Sequence, residues 1–139
     1  MGTTLIVIGS VITIFFIYVF YMMRKMKKAP LVENHERIVV LTDQNFESKI
    51  KRGLSLVDFW AAWCMPCKVM SPILNQVAEE MGDKALVCKI DIQQYPSVAA
   101  KYNVRSIPTL ILFKDGKEIK RFMGVKDKEF LINQINHTI

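Results

Sequence analysis

Two cysteines separated by two residues, Cys64-Met65-Pro66-Cys67, follow closely on the apolar run Leu54-Ser55-Leu56-Val57-Asp58-Phe59-Trp60, and that order leaves the chain few ways to fold. The run reads as a strand buried within a sheet. Positions i and i+3 share a helix face, so a helix starting at the motif brings Cys64 and Cys67 together and lets them be oxidised and reduced with little backbone movement. Cys64 then sits where a strand ends and a helix begins. Free backbone N–H groups and the positive end of the helix dipole stabilise a thiolate there, which marks Cys64 as the nucleophile. Asp58 interrupts the apolar strand, and its charge is costly to bury unless it is paired or protonated. Desolvation is expected to raise its pKa toward the range of a general base.

A second feature divides the chain. Leu5 to Met23 is a run of 19 residues without charge, dominated by Ile, Val and Phe. As a helix it is about 28 Å long, close to the hydrocarbon thickness of a bilayer. Tyr18 and Tyr21 suit the interfacial belt. No basic residue precedes the run and no Ala-x-Ala-like site follows it, so an uncleaved single-pass anchor is expected rather than a secretory signal. The chain carries a net charge of +6, but Arg24, Lys25, Lys27 and Lys28 supply four of the 19 basic side chains, while none of the 13 acidic ones lies in residues 1–30. The excess therefore lies beside the membrane, where it meets anionic headgroups and fixes topology. Nucleic acid is not an expected partner. The division expected is an anchor over 1–23, a basic juxtamembrane segment and linker over 24–37, and a domain over 38–139.

Within that domain the pattern alternates. A short strand at Ile38–Leu41 precedes Thr42 and Asp43 as candidate helix caps, with Phe46 and Ile50 one turn apart on the helix that follows. Then come the strand at 54–60, a helix from Cys64 to Met81, a strand at 85–91 and a short helix near 95–102. A hairpin of Thr109–Lys114 and Lys117–Met123 turns at Asp115-Gly116, and a last helix runs from Lys126 to Thr138. This order predicts an α/β sandwich, a mixed central sheet with helices on both faces. Cys88 lies in an apolar strand and reads as a small core residue. With only His35 and His137 besides, and neither at ligand spacing to Cys64, no metal site and no cofactor are expected.

From Ile38 onward the chain resembles the thioredoxin family. Val57-Asp58-Phe59-Trp60-Ala61 is similar to the strand leading into that family's active site, and Trp63-Cys64-Met65-Pro66-Cys67-Lys68 to its active-site turn, with Met65 where glycine is usual. Pro72, Ile107-Pro108-Thr109, Lys114-Asp115-Gly116-Lys117 and Gly124 match further family positions. The resemblance implies the thioredoxin fold. It also implies a cis Ile107–Pro108 bond facing the cysteines, Cys67 as the resolving thiol, Asp58 as its buried proton acceptor, and Lys89 as a lysine approaching that aspartate. Trp63, Met65, Pro66, Ile107, Pro108 and Gly124 are expected to line the substrate surface, whereas Trp60 reads as core packing.

The function expected is protein-disulfide reduction by a membrane-tethered monomer cycling between dithiol and disulfide. Its partners would be disulfide-containing proteins, with electrons from a thioredoxin reductase or a membrane donor. The alternatives are an extracytoplasmic reductase serving cytochrome c maturation, a disulfide oxidase, or a non-catalytic binding module of the same fold. Retention of both cysteines, Asp58 and Pro108 argues against the last. The positive-inside rule favours the cytoplasmic face for the domain.

Overall fold

The computed structural model describes residues 2–27 and 32–139; Lys28 of the basic cluster and residues 29–31 of the expected linker lie outside the described residues. The chain divides into two units, Met1–Pro30 and Leu31–Ile139. The first holds one helix, α1 (Gly2–Lys27). Its span Ile6–Lys25 has a mean hydropathy of 2.4, and no part of it is buried. Among the described residues it is the one helix long and apolar enough to cross a membrane.

The second unit carries five strands and four helices: β1 (Ile38–Leu41), α2 (Phe46–Ile50), β2 (Leu54–Trp60), α3 (Met65–Met81), β3 (Leu86–Asp91), α4 (Pro96–Lys101), β4 (Thr109–Lys114), β5 (Lys117–Met123) and α5 (Lys128–Asn136). They form one sheet in the order β1-β3-β2-β4-β5. β3 runs parallel to β1 and β2, and β4 runs antiparallel to β2 and β5. The sheet is therefore mixed, as the alternating pattern predicts.

Side-chain alternation along β2 separates two cores. Leu54 and Leu56 face α3 and α5, packing with Met70, Leu74, Val77, Leu131 and Ile135. Val57 and Phe59 face α2 and α4, packing with Phe46, Ile50 and Val98. On that second face Phe46 meets Tyr102, Phe113 and Phe59, with ring centroids at 5.0, 5.9 and 6.0 Å.

The ends of the elements follow local chemistry. The Asp115-Gly116 turn has both residues at positive φ, 50° and 81°, as a tight two-residue hairpin requires. Asp115 Oδ1 also accepts from the Gly53 amide at 2.9 Å, tying the hairpin to the start of β2. Neither cap candidate before α2 caps it: the N-cap position falls to Asn45, which makes no side-chain cap hydrogen bond, and Thr42 instead closes the turn that precedes the helix. Thr42 Oγ1 accepts from the Asn45 amide at 3.3 Å, and Asn45 Oδ1 accepts from the Thr42 amide at 2.8 Å. The last helix starts two residues later than its pattern predicts, because Asp127 Oδ1 caps it by accepting from the Phe130 amide at 2.7 Å.

Phe46→Ala should destabilise the domain by about 3 kcal/mol or more, since it removes the ring shared by three aromatic neighbours in a dry core. Denaturant unfolding of the full chain in detergent, followed by tryptophan fluorescence, measures this. A loss under about 1 kcal/mol would mean that the cluster closes over the gap.

Candidate active site

α3 begins at the motif because Cys64, in an extended conformation (φ −83°, ψ 110°), serves as its N-cap. Its sulfur accepts from the Cys67 amide at 3.2 Å, and its carbonyl accepts from the Lys68 amide at 3.2 Å. Pro66 occupies the first turn, where the missing N–H has no intrahelical partner to lose. Cys64 and Cys67 are joined as a disulfide, with their Cα atoms 5.3 Å apart. They are 4% and 2% exposed and cluster with Ala61, while Trp60, Ile92 and Ile107 pack around them.

The strand leading to this helix carries one half of a buried pair of ionisable side chains. Asp58 sits opposite Lys89 of β3 on one side and Leu110 of β4 on the other. Alternation puts Asp58 and Lys89 on the α3 face of the sheet, with Leu56 and Val87. Asp58 is fully buried, and among the described residues neither of its carboxylate oxygens has a hydrogen-bond partner. Burial pushes its pKa up to about 7, against the opposing pull of the Lys89 charge. Burial likewise lowers the pKa of Lys89, with the Asp58 charge resisting.

Lys89 does not give its hydrogen bonds to Asp58. Its ammonium donates to Ser71 Oγ at 2.6 Å and to Asn34 Oδ1 at 3.2 Å, and lies 4.8 Å from the centroid of the Trp60 ring. The expected approach of lysine to aspartate is thus realised across the strand ladder, with the side-chain tip directed elsewhere. Ser71 lies four residues after Cys67, on the same face of α3, so the cysteine and the lysine site share one side of that helix.

The remaining expected residues surround the helix end. The Ile107–Pro108 bond is cis, Ile107 touches the cysteine cluster, and Pro108 is buried. The Pro108 carbonyl accepts from the Gly124 amide at 2.9 Å, which joins this loop to the end of β5. Gly124 has φ 77°, and a Cβ placed there would meet nothing within 4 Å, so the backbone conformation rather than crowding favours glycine. Trp63 is 62% exposed, and Met65, Pro66 and Met123 are exposed too. Trp60 is half-buried, between the cysteine cluster and the Lys89 ammonium.

Cys88 is buried on the opposite face of the sheet, among Val57, Phe59 and Ile90, and burial pushes its thiol up to about 12. Among the described residues no group of three or more His, Cys, Asp and Glu side chains is arranged to hold a metal. Asn34, Ser71 and Asn75 were not anticipated. Ser71 had a signal, a polar side chain on the otherwise apolar face of α3 made by Met70, Leu74 and Val77. Asn34 had none, because its partner lies 55 residues away.

Known proteins share the sequence and fold of this domain. The family profile described as Thioredoxin matches residues 37–137. The thioredoxin of Staphylococcus epidermidis is 51% identical over 94 residues, covering 68% of this chain and 90% of that protein. The thioredoxin of Staphylococcus aureus is 50% identical over the same length, with the same coverage. Among solved structures, a mutant thioredoxin from Halobacterium salinarum NRC-1 superposes with a TM-score of 0.67 at 29% identity, covering 76% of this chain and 94% of that one. With a family match over most of its length, a five-stranded mixed sheet and a cysteine pair at the head of α3, this chain belongs to the thioredoxin family of thiol–disulfide oxidoreductases.

Proposed function

We propose that the protein is a membrane-tethered protein-disulfide reductase. The observation that carries this reading is the Cys64–Cys67 disulfide at the N-terminus of α3, with the unpartnered carboxyl of Asp58 buried in the strand that leads to it. In the reduced protein the Cys64 thiolate, favoured by the helix terminus, attacks a substrate disulfide. A bond forms from Cys64 to one substrate sulfur, and the other substrate sulfur leaves as a thiolate and takes up a proton. Asp58 accepts the Cys67 proton, directly or through water. The Cys67 thiolate then attacks Cys64, restoring the intramolecular disulfide and releasing the second substrate sulfur. Two electrons pass to the substrate, and a thioredoxin reductase or a membrane electron donor returns them.

Trp63, Met65 and Pro66 on one side, and Ile107, Pro108 and Gly124 on the other, form the surface against which an extended substrate segment docks. Lys89 modulates the acidity of Asp58 through its charge. Pro66 supports the reducing direction by its likeness to reducing family members, and Met65 is this chain's own variation at that turn.

The tether reading rests on α1. A core helix of a soluble protein would be buried, and none of Ile6–Lys25 is. The division is then an anchor over 1–23, a basic segment over 24–37 and a catalytic domain over 38–139. Arg24, Lys25, Lys27 and Lys28 hold the domain on the cytoplasmic side.

The central test is disulfide reduction by the full chain in detergent, using insulin as substrate. Cys64→Ser should abolish turnover, and Cys67→Ser should accumulate a mixed disulfide on Cys64 that mass spectrometry detects. Equal turnover of the Cys64→Ser variant and the parent protein would sink the mechanism.

Asp58 yields two coupled expectations. The resolving step should speed up with rising pH through about 7 as the carboxyl becomes a base. Asp58→Asn should remove that dependence and slow the step about tenfold or more, as stopped-flow traces would show. For stability, the folded state holds this proton to near pH 7, while the unfolded chain releases it near the ordinary aspartate value of 3.8. The folded state therefore binds more protons between those values and loses stability as pH rises through them. Asp58→Asn should be the more stable protein at pH 8, by on the order of a few kcal/mol, with the gap closing at pH 4. Denaturant midpoints at the two pH values measure the difference.

Membrane attachment has its own check. The full chain should remain in the membrane fraction after an alkaline carbonate wash with its N-terminal residues intact by mass spectrometry. Release of a domain lacking residues 1–23 would identify a cleaved signal instead.

A further inference from the structure

The segment that leads into β1 is strapped to α3. The Asn75 side chain grips it at two points, Oδ1 accepting from the His35 amide at 3.0 Å and Nδ2 donating to the Glu33 carbonyl at 2.8 Å. Between those two bonds lies Asn34, whose Oδ1 is 3.2 Å from the Lys89 ammonium. Asn34 lies just ahead of the residues 37–137 matched to the family and within the unit Leu31–Ile139.

A buried ammonium needs acceptors. Lys89, 3% exposed, has Ser71 Oγ and Asn34 Oδ1, with the Trp60 ring face beside it. Its register partner Asp58 is a buried carboxyl with no donor among the described residues. An acidic and a basic group thus lie side by side without a hydrogen bond between them. The lysine tip is held by other residues, one of which comes from the strap.

We propose that Asn34 is a positioning residue of the redox site: it anchors the Lys89 ammonium on Ser71 and Trp60, withholds it from the Asp58 carboxylate, and so keeps Asp58 able to take the proton of Cys67. The last clause rests on the reading of Asp58 given above. The groups around the pair are few. β2 contributes Asp58 itself and Trp60, β4 contributes the apolar Leu110, and α3 contributes Ser71 and, one turn earlier, Cys67. The strap brings the neutral Asn34. Its neighbour Glu33 is exposed, and the His35 ring accepts from the Arg37 amide at 3.2 Å. Asp91, at the end of β3, accepts from the Gln93 amide at 2.8 Å.

Asn34 is itself exposed, and without its oxygen the ammonium keeps Ser71 as its side-chain acceptor, with the unpartnered Asp58 carboxyl beside it. A charge-assisted bond between the two favours the ionised carboxyl and makes it a weaker base.

The experiment uses the full chain, labelled with 13C at its aspartate carboxyls, in nanodiscs of zwitterionic lipid. It is kept oxidised so that Cys64 and Cys67 do not titrate. The Asp58 carbon resonance, assigned by its loss in Asp58→Asn, is followed against pH. Asn34→Ala should lower its midpoint by about one pH unit. Asn75→Ala, which frees the strap, should lower it in the same direction. Asn34→Asp, which keeps an acceptor oxygen in place, should not lower it. An unchanged or raised midpoint in Asn34→Ala, or a lowered one in Asn34→Asp, overturns the proposal. The pH dependence of the resolving step, measured in the reduced variants, separates the two readings. If the carboxyl midpoint falls and the kinetic profile stays where it was, the positioning by Asn34 stands and the role of Asp58 as proton acceptor fails.

Discussion

Strand β2 has a hydrogen-bonded neighbour on each edge and helices over both faces, so every side chain from Leu54 to Phe59 is withdrawn from water. That enclosure governs most of what the site can do. It supplies both cores with their central residues, and it delivers the chain to Cys64 at a fixed height above the sheet. It also surrounds the one charged residue of the strand with a medium in which ionisation is costly. The same burial that secures the fold therefore sets the proton affinity of Asp58. A polar substitution elsewhere in β2 would weaken the domain and alter that environment together.

Much of this was legible in the sequence because it is local. The apolar run of β2, the Asp115-Gly116 turn and the cysteine spacing each specify a piece of backbone within a few residues, and the pieces sit where their patterns put them. Small displacements, such as the late start of α5, arise where a specific cap overrides the apolar period. The cis bond before Pro108 was not in the pattern at all and came from the family resemblance, because cis X–Pro is a minority state that only surrounding structure selects. The lysine site shows the other limit. That Lys89 lies beside Asp58 follows from register, but the direction of a long side chain is decided by whichever acceptors the tertiary fold brings near. Two of those acceptors, Asn34 and Ser71, are 55 and 18 residues away.

The residues before β1 are bound to the domain that follows them. A linker of polar residues is ordinarily treated as a spacer whose only property is length. Here Glu33 and His35 exchange backbone hydrogen bonds with a helix side chain, and the residue between them touches a buried charge. The residues ahead of β1 thus contribute, through the exposed Asn34, a polar contact to a buried lysine of the domain.

Cys88 makes the domain a carrier rather than a store. The sheet lies between it and the α3 face, and a thiol whose proton is held to about pH 12 offers almost no thiolate at neutral pH. One reactive pair per molecule means a capacity of two electrons, filled or empty, with no third sulfur to scramble the pairing or hold a charge in reserve. On the proposed reductase reading, sustained flux is then set by how often an oxidised molecule meets its electron donor, an encounter in two dimensions where a membrane confines both.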